Sequence, residues 1–229
     1  MLLADAVKRR TSVRAYLDAP VDRQTVEAVF EAARWAPSGN NLQPWKAIAV
    51  AGAERDAVCG LAKRAMAAGR LDADDGYPVR PDPLPPPYAD RRARLGTQMY
   101  ALLGIARDDD AARRRWAEAN LEFFGAPVGV FFVIDRIMGH GQWASLGMFM
   151  QSVVLAATSF GLGTCLQEAW APLRRLLHGH FGLDGREVVY CGMALGWPDR
   201  CAPINRFRPD RAAVGDFARF VGFERGDDA

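Results

Sequence analysis

The sequence is poor in lysine, and its basic residues are balanced by acidic ones. Its only lysines are Lys8, Lys46 and Lys63, and the formal net charge is +2. The remaining basic residues are arginines scattered along the chain, whereas nucleic-acid-binding domains usually show a basic stripe and a high pI. We therefore expect no nucleic-acid partner.

The cysteines and histidines are few and form no strong metal or redox pattern. No two of the four cysteines are spaced as CxxC, and neither HExxH nor a zinc-finger spacing occurs. His178 and His180 share an HGH triplet, for which two surface histidines near a helix end are a simpler interpretation than a metal site. Free thiols are typical of proteins in a reducing compartment. The charged Asp5 interrupts the N-terminal apolar stretch, which therefore does not match a signal peptide. We expect a cytoplasmic protein without a bound metal.

One long stretch, from Gln142 to Gln167, has no charged residue. It is long enough to cross a bilayer, but it contains glutamines, serines and glycines and stands alone in mid-chain. A helix that is apolar all round is otherwise buried in a core or at an interface. We expect a buried helix and no membrane partner.

The pattern of apolar and turn-forming stretches predicts a single α+β domain over 1–229. At 50% hydrophobic and 24% charged residues, the composition is that of a globular protein and excludes disorder. Strands are predicted at 45–51, 128–135, 164–168 and 188–195. Helices are predicted at 2–10, 22–36, 54–68, 89–105, 110–122, 142–160 and 172–179. Their irregular alternation favours an α+β sandwich over a regular doubly wound sheet.

A proline-rich stretch at 69–88 can be neither helix nor central strand. With the helices that follow, it forms an excursion from the domain at about 69–122. Loops of this length are often functional or disordered. We expect a mobile cover that influences the choice of substrate.

Two basic segments, far apart in the chain, are candidates for one phosphate site. The first is RRTSVR, Arg9 to Arg14, whose arginines and hydroxyls can bind a phosphate, or whose charges can simply offset a helix dipole. The second is PINRFRP, Pro203 to Pro209. In an extended segment its arginines at i and i+2 project to one side, although a solvated tail is the alternative.

Two further segments offer backbone and amide groups to a ligand. PSGNNLQPW, residues 37–45, carries more amide side chains than a turn requires, and such groups suit the edge of a heterocycle. GLGTCLQEA, residues 161–169, has paired glycines that either admit a ligand to the backbone or end a helix.

In this order and at this spacing, the four segments resemble the nitroreductase superfamily over nearly the whole chain. PSGNNLQPW is the most specific match, and RRTSVRAY, GLGTCLQEAW and NRFRP resemble the phosphate-binding start, the segment under the flavin and the C-terminal phosphate clamp. The stretch from Tyr100 to Pro127 looks like the branch of nitrobenzoate and dinitroaniline reductases.

The resemblance implies one FMN site per subunit, shared between two chains. The phosphate and ribityl group would be held by Arg10, Thr11, Ser12 and Arg14, and the phosphate site completed by Arg206 and Arg208. The partner subunit would contribute Pro37, Ser38, Gly39 and Asn41, with Gln43 from the same signature. Backbone groups of Leu166, Gln167, Glu168 and Ala169 would lie near flavin N5. Gln167 and Ala169 depart from the residues of many relatives, which leaves the donor to N5 open.

The resemblance also implies a fold and a reaction. The fold is a sandwich with a central, mostly antiparallel sheet flanked by helices, in an intertwined homodimer. The reaction is a ping-pong hydride transfer from NAD(P)H through N5 of bound FMN. The acceptor is a small molecule such as a nitroaromatic or a quinone, and no side chain need act as acid or base.

Three alternatives to this reaction remain open on the residues alone. One is an oxygen-using flavin-fragmenting enzyme or a reductive dehalogenase of the same superfamily. Another is a flavin-binding protein without turnover, and the last is an arginine-rich interaction domain without flavin.

Overall fold

In the computed structural model of the chain, which describes residues 2–71 and 79–223, four strands form an antiparallel sheet in the order β1-β2-β4-β3. The strands are β1 Trp45–Ala51, β2 Val128–Asp135, β3 Gly163–Gln167 and β4 Glu187–Gly196. All but the last residue of β2 are buried, because β2 is a central strand covered on both faces. The predicted mostly antiparallel sandwich is confirmed.

Helices cover both faces of the sheet. They are α1 Leu3–Arg9, α2 Arg23–Ala33, α3 Gly52–Ala67, α4 Tyr88–Leu102, α5 Asp110–Glu118, α6 His140–Ser159, α7 Arg174–Phe181 and α8 Pro203–Arg206. Helices α2 and α6 pack on one face, and α3 and α7 on the other. The sheet therefore lies between two apolar cores.

Helix α6 is the uncharged helix predicted from the sequence. Its inner side packs into the first core through residues such as Leu146, Phe149 and Val153. None of the helices among residues 2–71 and 79–223 is both long and apolar enough to span a membrane.

The helix predicted over 110–122 is wrong at its C-terminal end. Helix α5 stops at Glu118, and a 3₁₀ stretch, Ala119–Gly125, follows with Phe123 and Phe124 at positive φ. The Phe123 ring lies 4.9 Å from that of Trp170, and a Cβ at Gly129 would lie 2.3 Å from it. Packing of this fully buried ring over the sheet overrides helix propensity here.

Candidate functional site

The N-terminal basic segment runs along the free edge of β3. Ser12 bridges Thr164 in parallel orientation, and the Val13 amide donates to the Thr164 carbonyl at 2.9 Å. Gly163 permits this approach, because a Cβ there would lie 2.6 Å from a methyl group of Val13. Gly161, at φ +80°, ends α6. Gly161 therefore ends a helix, whereas Gly163 allows the N-terminal segment of the same chain to approach β3.

The C-terminal basic segment is fastened to the N-terminal one by Asn205, a residue that the sequence analysis missed. The buried Asn205 side chain accepts from the Arg14 amide at 2.8 Å. Its Nδ2 donates to the carbonyls of Ala15 and Asp199 at 2.7 and 2.8 Å. Three hydrogen bonds from one side chain thus hold the two segments side by side.

The prediction of an extended segment over residues 203–209 is wrong in part. Pro203–Arg206 is a single helical turn, begun by a proline at its first position, and the chain becomes extended at Phe207. Arg206 and Arg208 nevertheless line the same cavity, about 420 Å³ in volume. The expected pairing of the two arginines on one side is confirmed, although by a helical turn.

Arg10 and Thr11 lie where two cavities meet. They line the 420 Å³ cavity and also a larger cleft of about 1120 Å³, which Ser12, Arg14 and Arg211 line as well. The structure thus brings together all six residues predicted around the phosphate, and it adds Arg211 from the polar tail.

This basic cluster, consisting of Arg10, Arg14, Arg206, Arg208 and Arg211, carries unbalanced positive charge. Burial lowers the pKa of Arg10, and the nearby charges of Arg211 and Arg208 lower it further. Within residues 2–71 and 79–223, no carboxylate forms an ion pair with any of the five. Crowded cations without a protein anion are suited to binding an anionic ligand.

Strand β3 begins beside this cluster, at Gly163 and Thr164, and its end lies further along the same strand. Leu166, Glu168 and Ala169 are exposed, whereas the Gln167 side chain points into the core. Gln167 Nε2 donates to the Asn120 carbonyl at 2.8 Å, and its Oε1 accepts from the indole N–H of Trp170 at 3.4 Å. Gln167 therefore offers a ligand its backbone and not its amide.

The Cys165 thiol lies beneath the cluster, on the buried side of β3. Burial raises its pKa, while Arg14 and a hydrogen bond with Ser12 act in the opposite direction. A neutral buried thiol is a packing group, and it leaves the charge of the cluster uncompensated.

The amide-rich loop, residues 37–43, is exposed for most of its length and strained. Asn40, Asn41 and Gln43 all have positive φ, near 50°. Such conformations are sparsely populated by residues other than glycine and cluster at functional sites. The Ser38 hydroxyl accepts from the Gln43 amide at 3.0 Å and stabilises the loop.

The loop and the basic cluster lie at opposite ends of α6. The loop contacts the first turns of the helix, where the Gly39 amide donates to Ser145 Oγ at 3.4 Å. Thr158, near the last turn, lines a cavity together with Arg10. Since a helix rises about 1.5 Å per residue, these positions are about 20 Å apart. One chain does not bring Pro37, Ser38, Gly39, Asn41 and Gln43 to its own basic cluster.

The described part of the proline-rich stretch approaches the end of β3. Burial raises the pKa of Glu168, and the positive charge of Arg80 lowers it. Residues 72–78 of the predicted cover lie outside the described residues.

The two histidines of the HGH triplet have protein partners at the end of α7. His178 Nε2 lies 2.9 Å from the Asp184 carbonyl oxygen, and His180 Nε2 lies 2.7 Å from a carboxylate oxygen of Glu54. Surface histidines near a helix end, as predicted, account for the triplet.

Comparison with known proteins decides the family. The sequence model of the nitroreductase family matches residues 7–197. This chain belongs to the nitroreductase family.

Curated relatives in this family align over almost their whole length. The chain is 36% identical to a 4-nitrobenzoate reductase of Pseudomonas putida, over 96% of this chain and 95% of the relative. It is 35% identical to a nitrobenzene nitroreductase of Ectopseudomonas oleovorans, over 95% and 96%. The predicted branch of nitrobenzoate reductases is confirmed.

Solved structures share the fold. The FMN- and NADPH-dependent nitroreductase NfnB from Sphigopyxis sp. strain HMH superposes with a TM-score of 0.94 at 40% identity, covering 97% of this chain and all of the other. The FMN-dependent NfnB from Mycobacterium smegmatis in complex with NADPH has a TM-score of 0.89 at 31% identity, with 96% and 100% covered. The cofactors described for these nitroreductases agree with those expected from the sequence.

Proposed function

We propose that this member of the nitroreductase family is an FMN-dependent enzyme that uses NAD(P)H to reduce nitroaromatic compounds. The basic cluster supports this most directly. Its arginines and the hydroxyls of Thr11 and Ser12 form the donor set that a phosphate monoester requires, and no carboxylate of the described residues forms an ion pair with these arginines. A phosphate group carries a charge of about −2 at neutral pH, which fits this surplus.

Each predicted segment has a separate task in this site. Arg10, Arg14, Arg206 and Arg208 would bind the FMN phosphate, while the backbone of Leu166 to Ala169 would lie along the ring. When bound, FMN supplies two-electron transfer between NAD(P)H and the acceptor. The side-chain hydrogen bonds of Gln167 fix the backbone that the ring would meet.

We further infer that the enzyme is a homodimer with shared sites. The outer side of α6 is exposed or half-buried and carries no charge; it consists of Ala144, Gly147, Met148, Gln151, Ser152, Leu155 and Ser159. An uncharged helix face that exposes small and apolar residues over this length is suited to packing against another protein surface. A two-fold axis across the middle of α6 would pack two copies antiparallel and set the loop of one chain beside the basic cluster of the other.

The exposed surface supports an extensive interface. The accessible surface is 14252 Å², whereas a compact monomer of 25.1 kDa exposes about 10,300 Å². Phe217, Phe220, Val221 and Phe223 near the C-terminus are all more than two-thirds exposed. If this apolar segment, residues 217–223, packs around a second copy of the chain, the dimer would be intertwined.

The two substrates would use the same face of the site in turn, a ping-pong order in which quinones and similar molecules also serve as acceptors. A single exposed edge at Leu166 to Ala169 supports this order, since it offers one place for both substrates. Four unpaired thiols and the need for NAD(P)H support a cytoplasmic location.

The reaction is tested with the purified holoenzyme under anaerobic conditions. NADPH or NADH should bleach the flavin absorbance, and 4-nitrobenzoate or nitrobenzene should restore it. Parallel lines in double-reciprocal plots would support the ping-pong order, and intersecting lines would contradict it. A flavin spectrum that neither coenzyme changes would indicate a flavin-binding protein without turnover.

The shared site is tested by complementation between two inactive variants, Arg14→Ala and Asn41→Ala. After joint unfolding and refolding, one site of each mixed dimer has both intact elements. With random pairing, about a quarter of all sites should therefore regain activity. No recovery despite demonstrated subunit exchange would place each site within one chain.

A further inference from the structure

Three arginines on α4 face the cleft that contains the basic cluster. Arg91, Arg92 and Arg94 line the same 1120 Å³ cleft as Arg10, Arg14 and Arg211. No carboxylate among residues 2–71 and 79–223 forms an ion pair with any of these three side chains. They form a second group of unpaired cations, here called the α4 wall, on a different element.

The charge of the α4 wall exceeds what FMN alone requires. Arg10, Arg14, Arg208 and Arg211 already surround the candidate phosphate site, and a phosphate monoester carries only about −2. Six arginines line the larger cleft against three aspartates, Asp90, Asp210 and Asp216. The cleft therefore suits a second anionic group besides the phosphate of FMN.

The position of the α4 wall indicates which substrate carries that group. The wall faces Arg10 to Arg14, and Ser12 within that segment pairs with Thr164. The edge proposed to meet the flavin ring begins at Leu166. Gln167 lies three residues beyond Thr164, or about 10 Å along a strand. A nicotinamide dinucleotide that reacts at this edge is long enough to span such a distance and to reach the wall with its adenosine end.

We propose that Arg91, Arg92 and Arg94 bind the 2′-phosphate of NADPH and make this enzyme prefer NADPH to NADH. The proposal rests on the proposed function, since it specifies the reducing substrate of the same site. Arginine binds phosphate oxygens through two parallel charged hydrogen bonds. NADH lacks this phosphate and would leave the wall unpaired.

The test measures binding of adenine fragments to the holoenzyme, which requires no turnover. Calorimetry compares adenosine 2′,5′-bisphosphate with 5′-AMP at low ionic strength, because screening weakens exposed charge pairs. The wild-type enzyme is compared with R91Q/R94Q and with the control R114Q/R115Q, whose arginines are exposed on α5 and line neither cavity. FMN content is measured for each protein.

The wild type and the control should bind the bisphosphate at least roughly tenfold more tightly than 5′-AMP. In R91Q/R94Q the two affinities should become similar, with FMN content unchanged, and the KM for NADPH should rise far more than that for NADH. The single variants R91Q and R94Q answer the same question if the double variant does not fold.

Two results would overturn the proposal. Equal affinity of the wild type for both fragments, or a preference retained in R91Q/R94Q, would show that the wall does not recognise the 2′-phosphate. Selective loss of FMN from R91Q/R94Q would show that the arginines serve the cofactor instead. Both results come from binding measurements and do not depend on bleaching of the flavin by a coenzyme. Failure of the proposed function would be detected separately, as a flavin spectrum that neither coenzyme changes.

Discussion

The basic cluster and the amide-rich loop lie at opposite ends of α6 and differ in what holds them. The cluster is assembled from the two ends of the chain by buried hydrogen bonds of Asn205. The loop is exposed, has three residues at positive φ and touches α6 through Gly39. One region is completed by folding of a single chain, whereas the other presents its polar groups outward.

This difference is the one expected if the two regions form the proposed shared site. The part that requires dense charge is built within one chain, where buried hydrogen bonds can oppose the repulsion among arginines. The part that supplies neutral amide groups is held by local turns and by the contact of Gly39 with α6, and its side chains stay exposed. Five substitutions test this division, in order of decreasing effect.

Asn205→Ala should have the largest effect. It leaves the Arg14 amide and the Asp199 carbonyl without their partners. The free energy of unfolding should fall by about 2–4 kcal/mol, and affinity for FMN should fall with it. Urea unfolding and flavin titration measure the two effects. Asn120→Ala is the control, because its side chain donates only locally, to the Ala117 carbonyl; equal losses in both variants would refute the special role of Asn205.

Arg14→Ala and Arg208→Ala should weaken FMN binding more than they perturb folding. Each removes a charged hydrogen bond to phosphate, worth about 1.5–3 kcal/mol, or roughly ten- to hundredfold in affinity. Flavin titration of the apoproteins measures the loss, with Arg64→Ala on α3 as control. Unchanged affinity in both variants would mean that the cluster is only surface charge.

Asn40→Val tests the strain in the loop. A β-branched residue is disfavoured at φ 53°, so the free energy of unfolding should fall by about 1–2 kcal/mol. Leu42→Val is the control, because Leu42 is also exposed and has φ −70°. If both variants are equally stable in thermal and urea unfolding, the loop relaxes freely and is not a fixed element.

Lys46→Ala should have the smallest effect. It should lower the free energy of unfolding by less than about 1 kcal/mol, because the Lys46 side chain is 64% exposed. Lys46 follows the loop on β1 and donates to Glu187, which lowers the pKa of that carboxyl. The pair therefore stabilises the fold at pH values above the ordinary glutamate pKa of about 4.3. This contribution is lost as the pH falls below that value and through the lowered pKa of Glu187 in the folded protein. Urea unfolding should show a difference from wild type near pH 7 but none near pH 3, while Lys8→Ala should show none at either. A larger difference at the lower pH would contradict this linkage.

The parts of the fold that could be predicted were those determined by local pattern. The apolar run Val128–Asp135 marks a strand at its observed bounds, and the uncharged helix differs from its prediction by two residues at its start and one at its end. The family-specific order of four motifs led to the family itself. The division into domains and the individual roles of the site residues stay predictions.

The parts that could not be predicted depend on contacts between distant positions. Asn205 has no special pattern in the sequence, and its role comes from the Arg14 amide and the Ala15 carbonyl, 191 and 190 positions away. Phe123 turns inward because Gly129 and Trp170 leave space for its ring. The arginines of α4 share a charge pattern with any solvated helix, and only the cleft distinguishes them.

The fastening of the N-terminal segment by Asn205 also sets an order of events during protein synthesis. Residues 10–14 leave the ribosome first, but the side chain that aligns them and the arginines that complete the cluster lie at 205–211. The proposed phosphate pocket therefore cannot exist on a growing chain until residue 211 has been translated. A cofactor held there cannot guide the folding of the strands and helices that emerge before that residue.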